Sequence, residues 1–356
     1  MRQRRFGRLG LGLSTAVLGL VLAVTPTLAC GGLIGPNGAV NLLRTTTLAG
    51  YHDGVEHYVT AFQFAGGGGA FGSITPLPGV PTSVVKGGDW TLQRLIRETE
   101  PVQAFDGIRA AAAAPAASAA EELMKVRIDA LDITVLKGGA ASIGAWATSH
   151  GFRLPPDAPE VLDFYAARSQ IFLAAAFDAN AAKNRGQQLG DGTPVHITIP
   201  TANPWVPLRI LALGKTATEQ VQADVYLLTD RAPALLPVPT GSNGIRLDHS
   251  AAASSSLLTD LHTDRGMDWV PSTGWLTKVA VDGTAAQVGY DLAVDASGAG
   301  RPSAVDAGFT MPGAVIPPTP LDLSRLLLAL AFVGLGVVGV GLMTRVRPSA
   351  GRLIGW

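Results

Sequence analysis

The densest set of possible metal ligands in the chain is His52, Asp53, Glu56 and His57. Its spacing, His-x-x-x-Glu-His, is one residue longer than the inverted zinc-protease motif, and that motif needs a helix. Here the residues sit between β-rich runs around Asp53-Gly54. Asp-Gly is a preferred two-residue hairpin turn because both turn positions need φ > 0. On that hairpin His52 pairs with Val55 and Gly50 with His57, and these share a face with Leu48 and Val59. Tyr51, Glu56 and Tyr58 take the other face. Glu56 therefore points away from both histidines, which are expected near an exposed hairpin end. A zinc site would need a third ligand from afar, such as His196, His249 or His262. The expectation is that His52 and His57 are structural, with no bound metal or cofactor.

A second acidic cluster, Asp260, His262, Asp264 and Asp268, resembles a calcium loop in spacing. Its turn glycine, Gly266, falls one place late, and Pro271 stands where such a loop needs a bidentate glutamate. Asp260 and Asp264 are thus candidates whose simpler reading is a solvated acidic loop. No Gly-x-Ser-x-Gly elbow occurs, and six scattered histidines support no triad. The four glycines Gly66 to Gly69 are not followed by Gly-Lys-Ser/Thr, so they form no phosphate loop. Trp269 and Trp275 are candidates for a sugar-stacking pair, with core packing as the alternative.

Export signals flank these residues. Arg2, Arg4, Arg5 and Arg8 precede an apolar stretch, and Thr27-Leu28-Ala29 offers small residues for cleavage after Ala29. Residues 1–29 read as a signal peptide. Cys30, the one cysteine, would then be the new N-terminus and a candidate for lipidation; it cannot form an internal disulfide. Near the other end, Leu326 to Met343 is free of charge and as a helix would be about 27 Å long, enough to span a bilayer. Arg345, Arg347 and Arg352 follow it, which favours a cytoplasmic C-terminus and an extracytoplasmic body. The expected division is signal peptide 1–29, body 30–295, a Pro/Gly-rich stalk 296–320, a transmembrane helix 321–344 and a cytoplasmic tail 345–356. A split of the body into two lobes near 104–120 is the alternative. Lys plus Arg and Asp plus Glu are both 27, and a net charge of zero argues against a nucleic-acid partner.

The body reads as α+β, β-rich with a few short helices. After the hairpin, Phe71 to Pro81 suggests a short strand running into a proline turn. Asp89 is placed to cap a helix ending near Thr99. Met124 to Val135 reads as one strand, and Ala140 to His150 as a helix stopped by Gly151. Asp157 and Glu160 form a capping-box pattern for the next helix. Strands are expected at Ile171–Phe177, Val195–Ile199, Leu208–Leu213 and Ala223–Thr229. Arg231 to Ser256 reads as a long loop, and Trp275 to Val294 as a further β-like run.

Several phrases resemble one family of exported bacterial proteins, the domain of unknown function 2330 family. They are Ile74-Thr-Pro76-Leu-Pro78, the helix Trp146 to Pro155 ending in Gly-Phe-Arg-Leu-Pro, and the Tyr165 helix. Pro194 to Pro200 and Trp205-Val-Pro-Leu-Arg209 complete the likeness, which covers most of Cys30 to Pro233. The resemblance implies an exported, often C-terminally anchored α+β protein, and it carries over no catalytic residue. The resulting expectation is a single-pass membrane-anchored envelope protein whose body binds an envelope protein or polymer. An anchored hydrolase or metal-dependent enzyme is the alternative.

Overall fold

In the computed structural model the described residues are 27–28, 32–36, 38–39, 44–63, 71–99, 121–186 and 192–310. The expected signal peptide up to residue 26, Cys30, the four-glycine stretch, 104–120 and the apolar run lie outside them. Among the described residues no helix is long and apolar enough to cross a membrane.

The large sheet runs in the order β15 (Ile245–Ala252), β16 (Trp275–Thr284), β13 (Gln220–Thr229), β4 (Arg44–His52), β5 (Val55–Gln63), β11 (Gly192–Pro200), β7 (Ser83–Lys86). A short β1 (Thr27–Leu28) lies beside β4. The second sheet runs β3 (Gly38–Ala39), β2 (Gly32–Gly35), β6 (Phe71–Leu77), β10 (Ile171–Phe177), β9 (Leu131–Lys137), β8 (Glu121–Ile128). A small third sheet is β12 (Trp205–Val206), β17 (Leu292–Asp295), β14 (Ala234–Leu236). The helices are α1 (Thr91–Thr99), α2 (Ala140–Ser149), α3 (Ala158–Ala166), α4 (Ala179–Asn184) and α5 (Ser255–Thr263). The body is therefore β-rich with a few short helices, as its patterning implies.

Strand period two sorts the large sheet into two faces with different neighbours. Ala49, Tyr58, Val195, Ile197 and Val225 point into the main core, shared with the second sheet through Ile74, Leu173 and Ile133. Leu48, Val59, Tyr226 and Leu228 point the other way, under α1 and α5, where Leu92, Leu95, Leu257 and Leu261 cover them. The fully buried β10, IFLAAAF, is the continuous apolar run expected of a strand covered on both faces. Pro76 is tolerated in β6 because β2 pairs only with Gly72, Ser73 and Ile74, so no ladder bond is demanded on that side.

The hairpin follows its turn chemistry. Asp53 and Gly54 have φ of 48° and 78°, and His52 pairs with Val55 and Gly50 with His57. Elsewhere local pattern was overridden. Met124 to Val135 is two strands, because Asp129 adopts φ 53° and reverses the chain. Arg209–Ala212 is a 3₁₀ turn instead of a strand, since the Leu208 and Arg209 amides bind the Asp291 carboxylate at 2.7 and 3.0 Å. The expected loop 231–256 contains β14 and β15, held by pairing with β17 and β16. Asp157 does not cap its own helix; it accepts the Gly214 amide, while Glu160 pairs with Arg209. Residues 297–310, assigned by composition to the stalk, lie against the body. The Asp291 amide donates to Ala307 at 3.1 Å, and Phe309 meets Tyr290 edge to face at 6.0 Å.

Candidate functional site

Two consecutive residues of β5 carry opposite buried chemistry. His57 faces outward, yet only 8% of it is exposed, because the segment between α5 and β16 covers it. Its Nδ1 lies 3.0 Å from Nε2 of His196, delivered by the neighbouring β11. On the other side the Trp269 indole stacks on the His57 ring, with centroids 4.0 Å apart and planes at 6°. Gly50, the cross-strand partner of His57, makes room for that indole: a Cβ there would meet Trp269 at 2.0 Å. The Trp269 Nε1 and the His196 Nδ1 are buried without hydrogen-bond partners among the described residues.

Burial lowers the pKa of His57 to about 3, with repulsion from His196 and His52 adding to it and the Asp268 charge opposing it. Burial likewise lowers His196 to about 4, again opposed by Asp268. Both rings are therefore neutral at pH 7. A neutral pair at this distance shares one proton, one nitrogen donating to the other.

Glu56 faces inward, opposite Tyr51 and Ile199, and is fully buried. Among the described residues neither carboxyl oxygen has a well-formed hydrogen-bond partner. Desolvation raises its pKa to about 8, which the nearby Trp205 backbone amide only partly offsets. The carboxyl is thus mostly protonated at pH 7, as the cost of an isolated buried charge requires.

The sequence assigned these residues to the correct faces but not to the correct surroundings. The hairpin end is exposed at Asp53 and covered at Glu56 and His57. The covering comes from residues distant in the chain, which local spacing does not reveal. His52 stands apart and pairs with Asp230 at 2.7 Å.

The acidic cluster divides among separate contacts. Asp260 pairs with Arg94 of α1 at 2.8 Å. Asp264 is turned to the start of α1, where it accepts the Asp89 and Trp90 amides, each at 3.2 Å, and the Thr91 hydroxyl at 2.7 Å. It supplies from outside the cap that Asp89 was expected to provide. Gly88 permits this approach, since a Cβ there would lie 2.0 Å from the Asp264 carboxylate. His262 reaches the Val270 carbonyl at 3.1 Å. Among the described residues no three His, Cys, Asp or Glu side chains converge as a metal site. The tryptophan pair also separates: Trp269 is committed to His57 and Gly50, whereas Trp275 donates to the Ser250 hydroxyl at 2.9 Å.

A second buried polar centre carried no sequence signal. Asp291, fully buried, accepts the Leu208 and Arg209 amides and the Tyr165 hydroxyl on one oxygen. Its other oxygen meets the Arg168 guanidinium at 2.5 Å. Arg168 also donates to the Asp306 carbonyl and lies over the rings of Phe164, Tyr165 and Trp205, at 4.3, 5.1 and 4.9 Å. This centre ties α3, the 3₁₀ turn, β17 and the 303–310 segment into one unit.

Comparison with known proteins gives a family and a distant structural likeness. The model of a family described as an uncharacterized protein conserved in bacteria, DUF2330, matches residues 25–270. No curated protein sequence matches the chain. The crystal structure of baculovirus P35 aligns over 71% of this chain and 96% of that one, with 9% identity and a TM-score of 0.37. A chain of the caspase-8/P35 complex aligns over the same shares, with 8% identity and a TM-score of 0.36. Likenesses this distant carry no functional statement.

Proposed function

We propose, for a chain that belongs to the DUF2330 family of bacterial proteins, a non-catalytic binding module held at the outer side of the cell membrane by its C-terminal apolar run. The observation that carries this reading is the use made of the candidate ligands. Asp264 is committed to the start of α1, Asp260 to Arg94 and His52 to Asp230. Groups bound in this way hold the body in shape and are not presented to a substrate or an ion. The anchor rests on Leu326 to Met343 and on the basic residues after it. An envelope protein or polymer is the class of partner such a displayed β-rich body would meet.

The rival is an anchored hydrolase or metal-dependent enzyme. It would have to draw on Glu56, whose raised pKa is a property of many catalytic acids. Complete burial of that carboxyl favours the binding reading, because a general acid must reach its substrate. Two measurements test the proposal. A cysteine introduced between 311 and 320 should react with an impermeant thiol reagent on intact cells; labelling only after lysis refutes the outward topology. Elemental analysis of the purified body should find no stoichiometric transition metal. One equivalent of bound zinc would put the enzyme ahead.

A further inference from the structure

Three histidines from three elements hold the segment 264–270 against the outer face of the large sheet. His262 of α5 reaches the Val270 carbonyl. His57 of β5 carries the Trp269 indole. His196 of β11 lies below Gly266, where a Cβ would come within 3.1 Å of its Nδ1. The segment has hinge geometry at its start. Asp264 is extended, with φ −80° and ψ 158°, and Gly266 has φ 72°. The segment's own Met267 and Val270 are buried in the smaller apolar cluster, against Leu257 and Leu261 of α5 and Leu48 and Val59 of the sheet beneath.

Protons and this cover compete. The His57–His196 contact accommodates one shared proton. Two imidazolium rings would aim N–H at N–H across 3.0 Å, with no acceptor between them. The charged and titratable groups around the pair come from every neighbouring element. His52, paired with Asp230, stands at the hairpin end. Asp264, Arg265 and Asp268 lie on the cover, and Asp89, at the start of α1, pairs with Arg265 at 3.7 Å. Of these, Asp268 favours a cation on either ring and His52 opposes one on His57. Both histidines belong to interior strands of the large sheet, so the sheet cannot separate them without breaking its ladders. No strand ladder holds the cover, so it can hinge beyond Asp264, which stays bound to the start of α1, and admit water.

We propose that residues 264–270 form an acid-released cover: doubly protonating the His57–His196 pair lifts Trp269 from the sheet and opens the apolar cluster beneath it to solvent. This inference is independent of the anchor and of the binding reading. Its sign follows from linkage. Rings that are hard to charge when covered and ordinary when uncovered take up protons on opening, so acid favours the open form.

Hydrogen exchange of the full-length protein, corrected for intrinsic pH dependence, reads the opening directly. With an ordinary histidine pKa near 6.5 in the open form, two protons raise the opening equilibrium on the order of 500-fold between pH 7 and pH 5. Peptides covering 264–270 should show that rise, and peptides of β10 should not. His57→Gln should cut it to about 25-fold, the value for one proton, and the His57→Gln/His196→Gln double variant should abolish it. Equal protection of 264–270 at the two pH values, or an undiminished rise in the double variant, overturns the proposal. Should the variants not fold, histidine-resolved NMR of the wild type decides. Titration of His57 and His196 must coincide with loss of Trp269 packing, and titration with that packing intact refutes the mechanism.

Discussion

Asp291 and Glu56 are both carboxyls with no solvent exposure, and their surroundings treat them in opposite ways. Asp291 receives two backbone amides, a tyrosine hydroxyl and a guanidinium, so its charge is compensated on both oxygens. Glu56 has only the Trp205 backbone amide near it, finds no well-formed hydrogen bond among the described residues, and avoids the cost of a buried charge by keeping its proton. Its neighbour His57 does the reverse of the same thing, staying neutral by refusing a proton. Burial alone therefore does not say whether a polar group strengthens a fold. A compensated centre stabilises at every pH where its charges persist. An uncompensated one makes stability depend on pH.

The largest test of that contrast removes the compensated carboxyl. Asp291→Ala leaves Arg168 buried without its counter-charge and frees two amides, and should cost about 3–5 kcal/mol by urea denaturation. A loss below about 1 kcal/mol would mean that the centre is not a tie at all.

Glu56 is tested through pH. Its folded-state pKa, about 8, exceeds the ordinary 4.5. Its contribution is therefore complete below pH 4.5 and is lost as pH rises toward 8, by roughly 4–5 kcal/mol in total. Glu56→Gln should remove that alkaline decline. A wild type whose stability is flat from pH 5 to 9 would show that Glu56 is ionised without penalty. The histidine pair contributes with the opposite sign, its stability being present above pH 6.5 and lost as pH falls toward 4 and 3.

A smaller effect is expected at Asp264. Asp264→Ala withdraws the acceptor from the start of α1 and should cost about 1–2 kcal/mol, the range of a lost helix cap. Thermal melts of Asp264→Ala and Asp89→Ala side by side separate the two assignments. If Asp89→Ala is the more damaging, α1 is capped from within. The smallest effect belongs to the half-exposed His52–Asp230 pair, where His52→Ala should change stability by less than about 0.5 kcal/mol. A larger loss would place His52 with the buried groups.

Legibility in the sequence followed the range of the interactions. The β4–β5 hairpin was readable to the residue pair, because Asp53-Gly54 sets register locally and period two assigns faces. β10 was readable because an apolar run with glutamine before it and aspartate after it has few other uses. The Asp264 cap was not readable, since its recipients on α1 lie far earlier in the chain and an aspartate after a helix has no distinctive neighbours. Asp291 was invisible for the same reason, being a lone acid whose partners come from α3 and the 3₁₀ turn. The burial of His57 escaped because the covering tryptophan gives no sign of which strand it will rest on. The family likeness could not supply these roles, because its phrases mark strands, turns and helices and assign no chemistry.

The parallel pairing of β4 with β13 bears on how the chain acquires its structure. Thr46 lies beside Asp224, so an early segment waits for one made much later. Until then the β4–β5 hairpin has an open edge, the template on which strands of other chains can add. A chain emerging N-terminus first thus carries an unfinished sheet through most of its synthesis, and closure joins residues of high sequence separation, which is slow. Nascent chains stopped before Gln220 should be aggregation-prone and protease-sensitive, while those extending through Thr284, which complete β13 and β16, should become resistant together.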